Sequence, residues 1–233
     1  EVRHAQDAAM IAALVFDFDG VLADTERLHL RALQDTLATR GWTLTDADYF
    51  AFYLGYDDRG CLAEFTRRLG VTLTPGDMRA LLRDKEQRYA DLFDRGDVLF
   101  PTARPCIERL AAHLPLAIAS GSLRGEIERI LDANALRHHF RIIVGADDVV
   151  EGKPAPESYA RAVEALGVPG SAAVAIEDSP WGLQSARGAG LRTIGITTSY
   201  PASALTDAHH VIESLDEVTM ARLRAVVTPD RSV

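Results

Sequence analysis

The chain has 233 residues, 47% apolar and 25% charged, with a formal net charge of −9. That length suits one large domain or a domain with an insertion, and the composition is that of a soluble globular protein. The acidic balance argues against general nucleic-acid binding, which draws on basic patches.

No apolar run approaches the roughly 20 residues that cross a bilayer, so no membrane association is expected. No basic segment followed by an apolar stretch reads as a signal peptide, and a cytoplasmic protein is expected. Cys61 and Cys106 are solitary and without metal spacing, which suits reduced core thiols. Lysine occurs only at 85 and 153, so each can be weighed individually.

The first apolar run, Met10 to Phe16, predicts a strand buried on both faces. A helical stretch follows. Thr25 or Asp24 caps a first helix running to Arg40 and stopped by Gly41. Asp46 opens a second that ends near Gly55, and Asp57 or Asp58 opens a third that Gly70 closes. Thr74-Pro75 starts a long fourth helix ending at Gly96. Four helices with short glycine-marked connections predict a small bundle over 25–95.

Beyond Pro101 the pattern alternates. Strands are predicted at Leu116–Ala119, Arg141–Val144, Ala172–Ile176, Thr193–Ile196 and His210–Ile212. Helices are predicted at Arg104–His113, Arg124–Ala133, Pro156–Leu166 and Pro180–Ala189. Strands spaced by helices give a parallel sheet covered on both faces. The expected fold is therefore an α/β, Rossmann-like open sheet formed by 1–24 and 96–233, with a helical insertion after its first strand. Thr228–Val233 reads as a loose tail.

Ligands of open α/β sheets lie beyond the C-terminal strand ends, and the chemically suggestive residues fall there. Asp17 and Asp19 leave the first strand two residues apart, on one side of an extended chain, and Gly20 lets the backbone turn away. Ser120, Gly121 and Ser122 follow the next strand, Gly152-Lys153-Pro154 another, and Glu177-Asp178-Ser179 a fourth.

Taken alone, each has an ordinary explanation. Asp17 and Asp19 form an acidic strand exit, Ser120 and Glu177-Asp178 are helix caps, and Lys153 is a surface lysine. Together they suit phosphoryl transfer with Mg²⁺, which takes oxygen ligands such as Asp17 and Asp178. One aspartate can act as nucleophile and the other as acid and base. Ser120 and Lys153 can hold the phosphoryl oxygens.

Asp17-Phe18-Asp19-Gly20-Val21, Ala119-Ser120-Gly121, Gly152-Lys153-Pro154-Ala155-Pro156-Glu157 and Ile176-Glu177-Asp178-Ser179 with Gly182 and Ala186 resemble the four motifs of the haloacid dehalogenase superfamily. The resemblance covers nearly the whole chain, and the insertion resembles that family's α-helical cap. It implies Asp17 as nucleophile, forming an aspartyl-phosphate, and Asp19 as general acid and base. It also implies a Mg²⁺ ion held by Asp17, the Asp19 carbonyl and Asp178 with Glu177 assisting, and phosphate held by Ser120 and Lys153 beside Gly121 and Ser122.

Dehalogenases of the superfamily generally lack the second aspartate, which is present here. The branch most resembled is that of β-phosphoglucomutase and its sugar-phosphate phosphatases. His29 matches a histidine near the acid/base residue there, and Lys85 to Tyr89 a segment that reaches toward substrate. In the mutases a Ser-Arg pair holds the distal phosphate; here Gly55-Tyr56-Asp57-Asp58 stands in its place, with Arg59 one residue on.

The expected activity is hydrolysis of a small phosphorylated metabolite by a monomer or homodimer. A phosphosugar mutase is the alternative, and a non-catalytic phospho-aspartate receiver or scaffold a remote one.

Overall fold

The computed structural model describes residues 10–53, 56, 58–93 and 98–227. The chain divides into two compact units, residues 1–24 with 99–233, and residues 25–98. The second unit thus runs past the end expected at 95. Gly55, Asp57, Gly96 and the tail 228–233 lie outside the described residues.

The first unit holds a six-stranded sheet: β1 (Ala13–Phe16), β2 (Leu116–Ala119), β3 (Phe140–Val144), β4 (Ala173–Glu177), β5 (Arg192–Ile196) and β6 (His210–Ile212). Every pairing between these strands is parallel, in the order β3-β2-β1-β4-β5-β6. Around it lie α5 (Ala103–Ala111), α6 (Arg124–Ala133), α7 (Glu157–Leu166), α8 (Pro180–Gly188) and α9 (Met220–Val227).

The central strands β1, β2 and β4 are buried at every position, as strands covered on both faces must be. Their two faces differ in size. Ala13, Val15, Ala117, Ala119, Ala173 and Ala175 share a cluster with Tyr159, Ala162 and Val163 of α7. The alternate positions Leu14, Phe16, Leu116, Ile118, Val174 and Ile176 are larger and are buried on the opposite face. Small residues toward α7 leave room for the Tyr159 ring, which is fully buried. β1 lies between β2 and β4, where the strand order reverses, and a crevice opens at such a point.

β1 begins at Ala13 rather than Met10, which is exposed. Ala12 instead donates its N–H to Ala172 O at 2.7 Å. Ala172 closes a 3₁₀ turn, Gly170–Ala172, so β4 starts one residue later than expected. It also ends one later, which makes Glu177 part of the sheet rather than of the loop. α9 was not anticipated; it buries Leu223 and Val227. Among the described residues no helix is long and apolar enough to cross a membrane.

The second unit is a bundle of α1 (Thr25–Ala38), α2 (Asp46–Phe52), α3 (Asp58–Arg68) and α4 (Pro75–Phe93). Leu30, Leu33 and Leu37 on one stripe of α1 join Leu44, Tyr49, Tyr53, Leu62, Phe65 and Leu81 in its core. Thr74 caps α4 reciprocally with Asp77: its hydroxyl accepts from Asp77 N–H, and the Asp77 carboxylate accepts from Thr74 N–H. Gly41 and Gly70 take positive φ, +70° and +71°, just past α1 and α3. Cys61 and Cys106 are free and buried, and burial pushes both thiols up to about 12. Both are therefore weak nucleophiles.

Candidate active site

The ladder delivers Asp17 directly. Its N–H donates to Ile176 O at 2.9 Å, so its side chain emerges where β1 and β4 end together. Asp17 Oδ1 accepts from Phe18 N–H at 2.7 Å and from Lys153 Nζ at 2.8 Å. Gly20, at φ +73°, then turns the chain, and Gly20 N–H donates to Ala23 O. Asp19, half-buried, faces the end of β2. Its Oδ2 accepts from Ser122 Oγ at 2.6 Å and Ser120 Oγ at 3.2 Å.

Ser120 does not cap α6. Its hydroxyl accepts from Ser122 N–H at 3.0 Å, and the α6 terminus finds an acceptor in Asp147 instead. Gly121 is exposed in the same turn. Glu177 and Asp178 do not cap α8 either. Ser179 does, its hydroxyl accepting from Gly182 N–H at 3.1 Å ahead of Pro180.

Glu177 is fully buried. Its Oε1 accepts from Lys153 Nζ at 2.6 Å and Tyr159 OH at 2.8 Å, and its Oε2 from Ser179 Oγ at 3.1 Å. Burial alone would lower the Lys153 pKa, but Asp17 and Glu177 outweigh it and hold the ammonium charged. Burial and the charge of Glu177 raise Asp17 well above the usual carboxylate range, with Lys153 opposing. Burial and Glu177 push Asp178 up to about 7, while a Ser199 hydrogen bond and Lys153 pull it down.

These shifts report a charge imbalance. Three carboxylates, Asp17, Glu177 and Asp178, face one ammonium, so three minus one leaves two negative charges uncompensated. One oxygen of each carboxylate lies within 4.8 Å of the others. A hard divalent cation fits that set by charge and by donor type, and Mg²⁺ takes such oxygen ligands. Asp17 and Asp178 would hold it, with Glu177, already carrying Lys153, Tyr159 and Ser179, in support.

Two glycines make the cluster compact. A Cβ on Gly20 would stand 1.9 Å from Asp178 Oδ2, and one on Gly182 would stand 1.9 Å from Glu177 Oε1. The sequence motifs contained both. They gave no sign of Tyr159, nor of Thr198 and Ser199 beyond β5, where Thr198 donates to Gly20 O and Ser199 bonds Asp178.

His29, Lys85 and Arg59 belong to the helical unit. Lys85 is buried in the bundle rather than exposed on its helix, at 2% exposure. Its Nζ lies 2.6 Å from His29 Nδ1 and 2.7 Å from Asp58 Oδ1, and His29 stacks on Tyr89 at 4.2 Å. Arg59 is exposed on α3, and it is Asp58 that meets Lys85. Glu26, His29, Tyr49, Tyr56, Asp58 and Cys61 line a cavity of about 380 Å³ in this unit.

Hydroxyls and an ammonium beside clustered carboxylates, at the switch point of a parallel sheet, define an α/β enzyme of the phosphoryl-transfer class. A family model described as haloacid dehalogenase-like hydrolase matches residues 14–196. The chain belongs to that family.

Among its relatives, the validoxylamine A 7'-phosphate phosphatase of Streptomyces hygroscopicus subsp. limoneus is 36% identical over 211 residues, 90% of this chain and 96% of that one. The fructose-1-phosphate phosphatase YqaB of Escherichia coli (strain K12) is 28% identical over 193 residues, 79% of this chain and 96% of that one. Among solved structures, a HAD family hydrolase from Deinococcus radiodurans R1 with bound phosphate and sodium has a TM-score of 0.81 at 29% identity. The match covers 96% of this chain and 100% of that one.

Proposed function

We propose that this phosphoric monoester hydrolase releases phosphate from a small phosphorylated metabolite, a sugar phosphate or similar, through an aspartyl-phosphate on Asp17 and with Mg²⁺. The observation that carries the reading is the different setting of the two aspartates. Asp17 is buried, with Oδ1 fixed by Lys153 and Phe18 N–H, whereas Asp19 is half-buried and held by two hydroxyls. Two carboxyl groups in unlike environments suit two roles.

Asp17 Oδ2 attacks phosphorus as the ester P–O bond breaks, and the leaving oxygen takes its proton from the Asp19 carboxyl. Asp19, now ionised, takes a proton from the water that attacks the aspartyl-phosphate. The Asp17–phosphorus bond then breaks, which frees phosphate and restores both side chains. Lys153 and the Ser120 hydroxyl, whose bond to Asp19 is the longer at 3.2 Å, orient the phosphoryl oxygens and offset their charge, while the Ser122 hydroxyl stays on Asp19. Mg²⁺ at Asp17 and Asp178 would supply further positive charge, keeping both ionised at neutral pH.

Names of relatives built on fructose 1-phosphate and validoxylamine A 7'-phosphate support a metabolite ester as substrate. The alternative, a phosphosugar mutase, must hold a second phosphate. In the helical unit the charge of Lys85 is already met by Asp58, which favours hydrolysis. A panel of metabolite esters assayed for phosphate release with Mg²⁺, β-glucose 1-phosphate included, tests the reading. Phosphate released from one or a few esters is the expected result. Glucose 6-phosphate formed with little free phosphate would favour the mutase.

A further inference from the structure

We infer that Asp147 and Asp148, together with Arg124, form a latch that fixes the Ser120–Ser122 turn and thereby orients the carboxyl of Asp19. All three are positioning residues, and the inference rests on Asp19 serving as acid and base. The acidic pair lies between β3 and Lys153, outside the carboxylate cluster, and the mechanism above gives it no part.

The segments leaving β2 and β3 are stitched together in register. Ser120 N–H donates to Val144 O at 2.9 Å, and Ala146 N–H donates to Ser122 O at 2.9 Å. The stitch ends at the latch. Asp147 Oδ1 accepts from Arg124 N–H at 2.9 Å. Asp148 Oδ2 accepts from Gly145 N–H at 2.8 Å, from Arg124 Nε at 2.9 Å and from Arg124 Nη2 at 2.8 Å.

Leu123 precedes α6 without a side-chain acceptor, so Asp147 supplies from across the gap the oxygen that a local cap would give. The two segments are close enough that a Cβ on Gly145 would stand 2.4 Å from Arg124 N.

The latch reaches the chemistry chiefly through the shorter of the two hydroxyl bonds to Asp19. Ser122 lies on the stitched turn, and its hydroxyl donates to Asp19 Oδ2 at 2.6 Å. The Arg124–Asp148 pair is partly exposed, 41% and 27%, and such pairs add little to stability. What it supplies is position. A proton donor displaced by about 1 Å can lose up to about 10²-fold in rate.

The test compares kcat and KM for Arg124→Gln, Asp148→Ala, Ser122→Ala and the double variant Asp148→Ala/Ser122→Ala, using the ester that the wild type hydrolyses best. Arg124→Gln and Asp148→Ala are each expected to lower kcat by about 10- to 100-fold, with little change in KM. In the Ser122→Ala background the Asp148→Ala change should cost less, because the shorter of its two routes to Asp19 is already cut. Losses that multiply in full, or an unchanged kcat in Arg124→Gln, would overturn the latch. Arg124→Gln removes only a surface charge pair, so it remains informative if Asp148→Ala does not fold.

Should the wild type hydrolyse no ester, the proposed function fails, and amide hydrogen exchange still judges the latch. Arg124→Gln should speed exchange at Ala146 and Ser122, and unchanged protection would overturn it.

Discussion

Gly20 and Asp178 are packed so tightly that a single methyl group on residue 20 would fall 1.9 Å from the Asp178 carboxylate. Residue 20 also sits at φ +73°, where a side chain costs roughly 1–2 kcal/mol. Gly20→Ala must therefore displace Asp178 or the turn carrying Asp19. The expected outcome is a Tm several degrees lower and a loss of turnover with Mg²⁺ of at least about tenfold. Gly182→Ala should act likewise through Glu177. Thermal unfolding with parallel phosphate-release assays checks both, and wild-type values in either would refute the packing argument.

Glu177 ties the floor of the site together, since Lys153, Tyr159 and Ser179 all donate to it. Glu177→Ala leaves Lys153 paired with Asp17 but takes the shared acceptor from Tyr159 and Ser179, and at about 1–3 kcal/mol for each orphaned group should cost about 2–6 kcal/mol of stability. Tyr159→Phe removes one hydrogen bond to a charged acceptor while keeping the ring, and should cost about 1.5–3 kcal/mol. Urea unfolding separates the two. Equal, negligible losses would mean that the network is not what holds the floor.

The raised carboxyl groups fix a direction for pH dependence. In the folded, metal-free protein Asp178 titrates near 7, against 3.8 for an ordinary aspartate, and Asp17 is shifted the same way. Between these limits the folded state binds more protons than the unfolded state. The stability that Asp178 contributes is therefore fullest below about pH 4 and is lost as pH rises through 7, and Asp17 acts in the same direction. A cation that binds the ionised forms must displace those protons. Its stabilisation, about 2.7 kcal/mol at a hundred times its Kd, should accordingly grow from pH 5 to pH 8. Thermal unfolding with MgCl₂ and with EDTA across that range reads it directly. A Mg²⁺ effect that is absent, or constant with pH, would refute the site.

Asp19→Ala removes the proposed proton donor without touching the carboxylate cluster. Turnover should fall by at least about 10²-fold, in line with general acid–base groups. The Mg²⁺-induced rise in Tm should persist, because Asp17 and Asp178 remain. A variant that hydrolyses its ester at the wild-type rate would exclude Asp19 from proton transfer.

Much of this was legible from local pattern. Alternation placed Asp17 and Asp19 on one side of a strand exit, and glycine punctuation marked the ends of α1 and α3. Other parts depended on contacts between distant segments. Tyr159 reads as one more apolar residue on an amphipathic helix, and only the alanine-rich sheet face brings its hydroxyl to Glu177. Lys85 is expected on a segment that reaches toward substrate, and only the packing of α1 and α3 shows His29 and Asp58 around it. Taken alone, Ser120 and Glu177-Asp178 read equally as caps because their neighbours begin helices, and only the fold shows Asp147 and Ser179 in that role. α9 is short, and its nearest signal, a Thr219 hydroxyl accepting from Arg222 N–H, is too weak to stand alone.

The central claim is that Asp17 is the atom donor to phosphorus, and Asp17→Asn tests it most directly. The substitution keeps the shape and the hydrogen bond to Phe18 N–H, and it relieves repulsion with Glu177 and Asp178. The protein should therefore fold with a Tm in EDTA no lower than the wild type. Assayed side by side on the ester panel with Mg²⁺, the wild type should release phosphate from at least one sugar phosphate, and Asp17→Asn from none. Turnover by Asp17→Asn at a rate near the wild type would contradict the account.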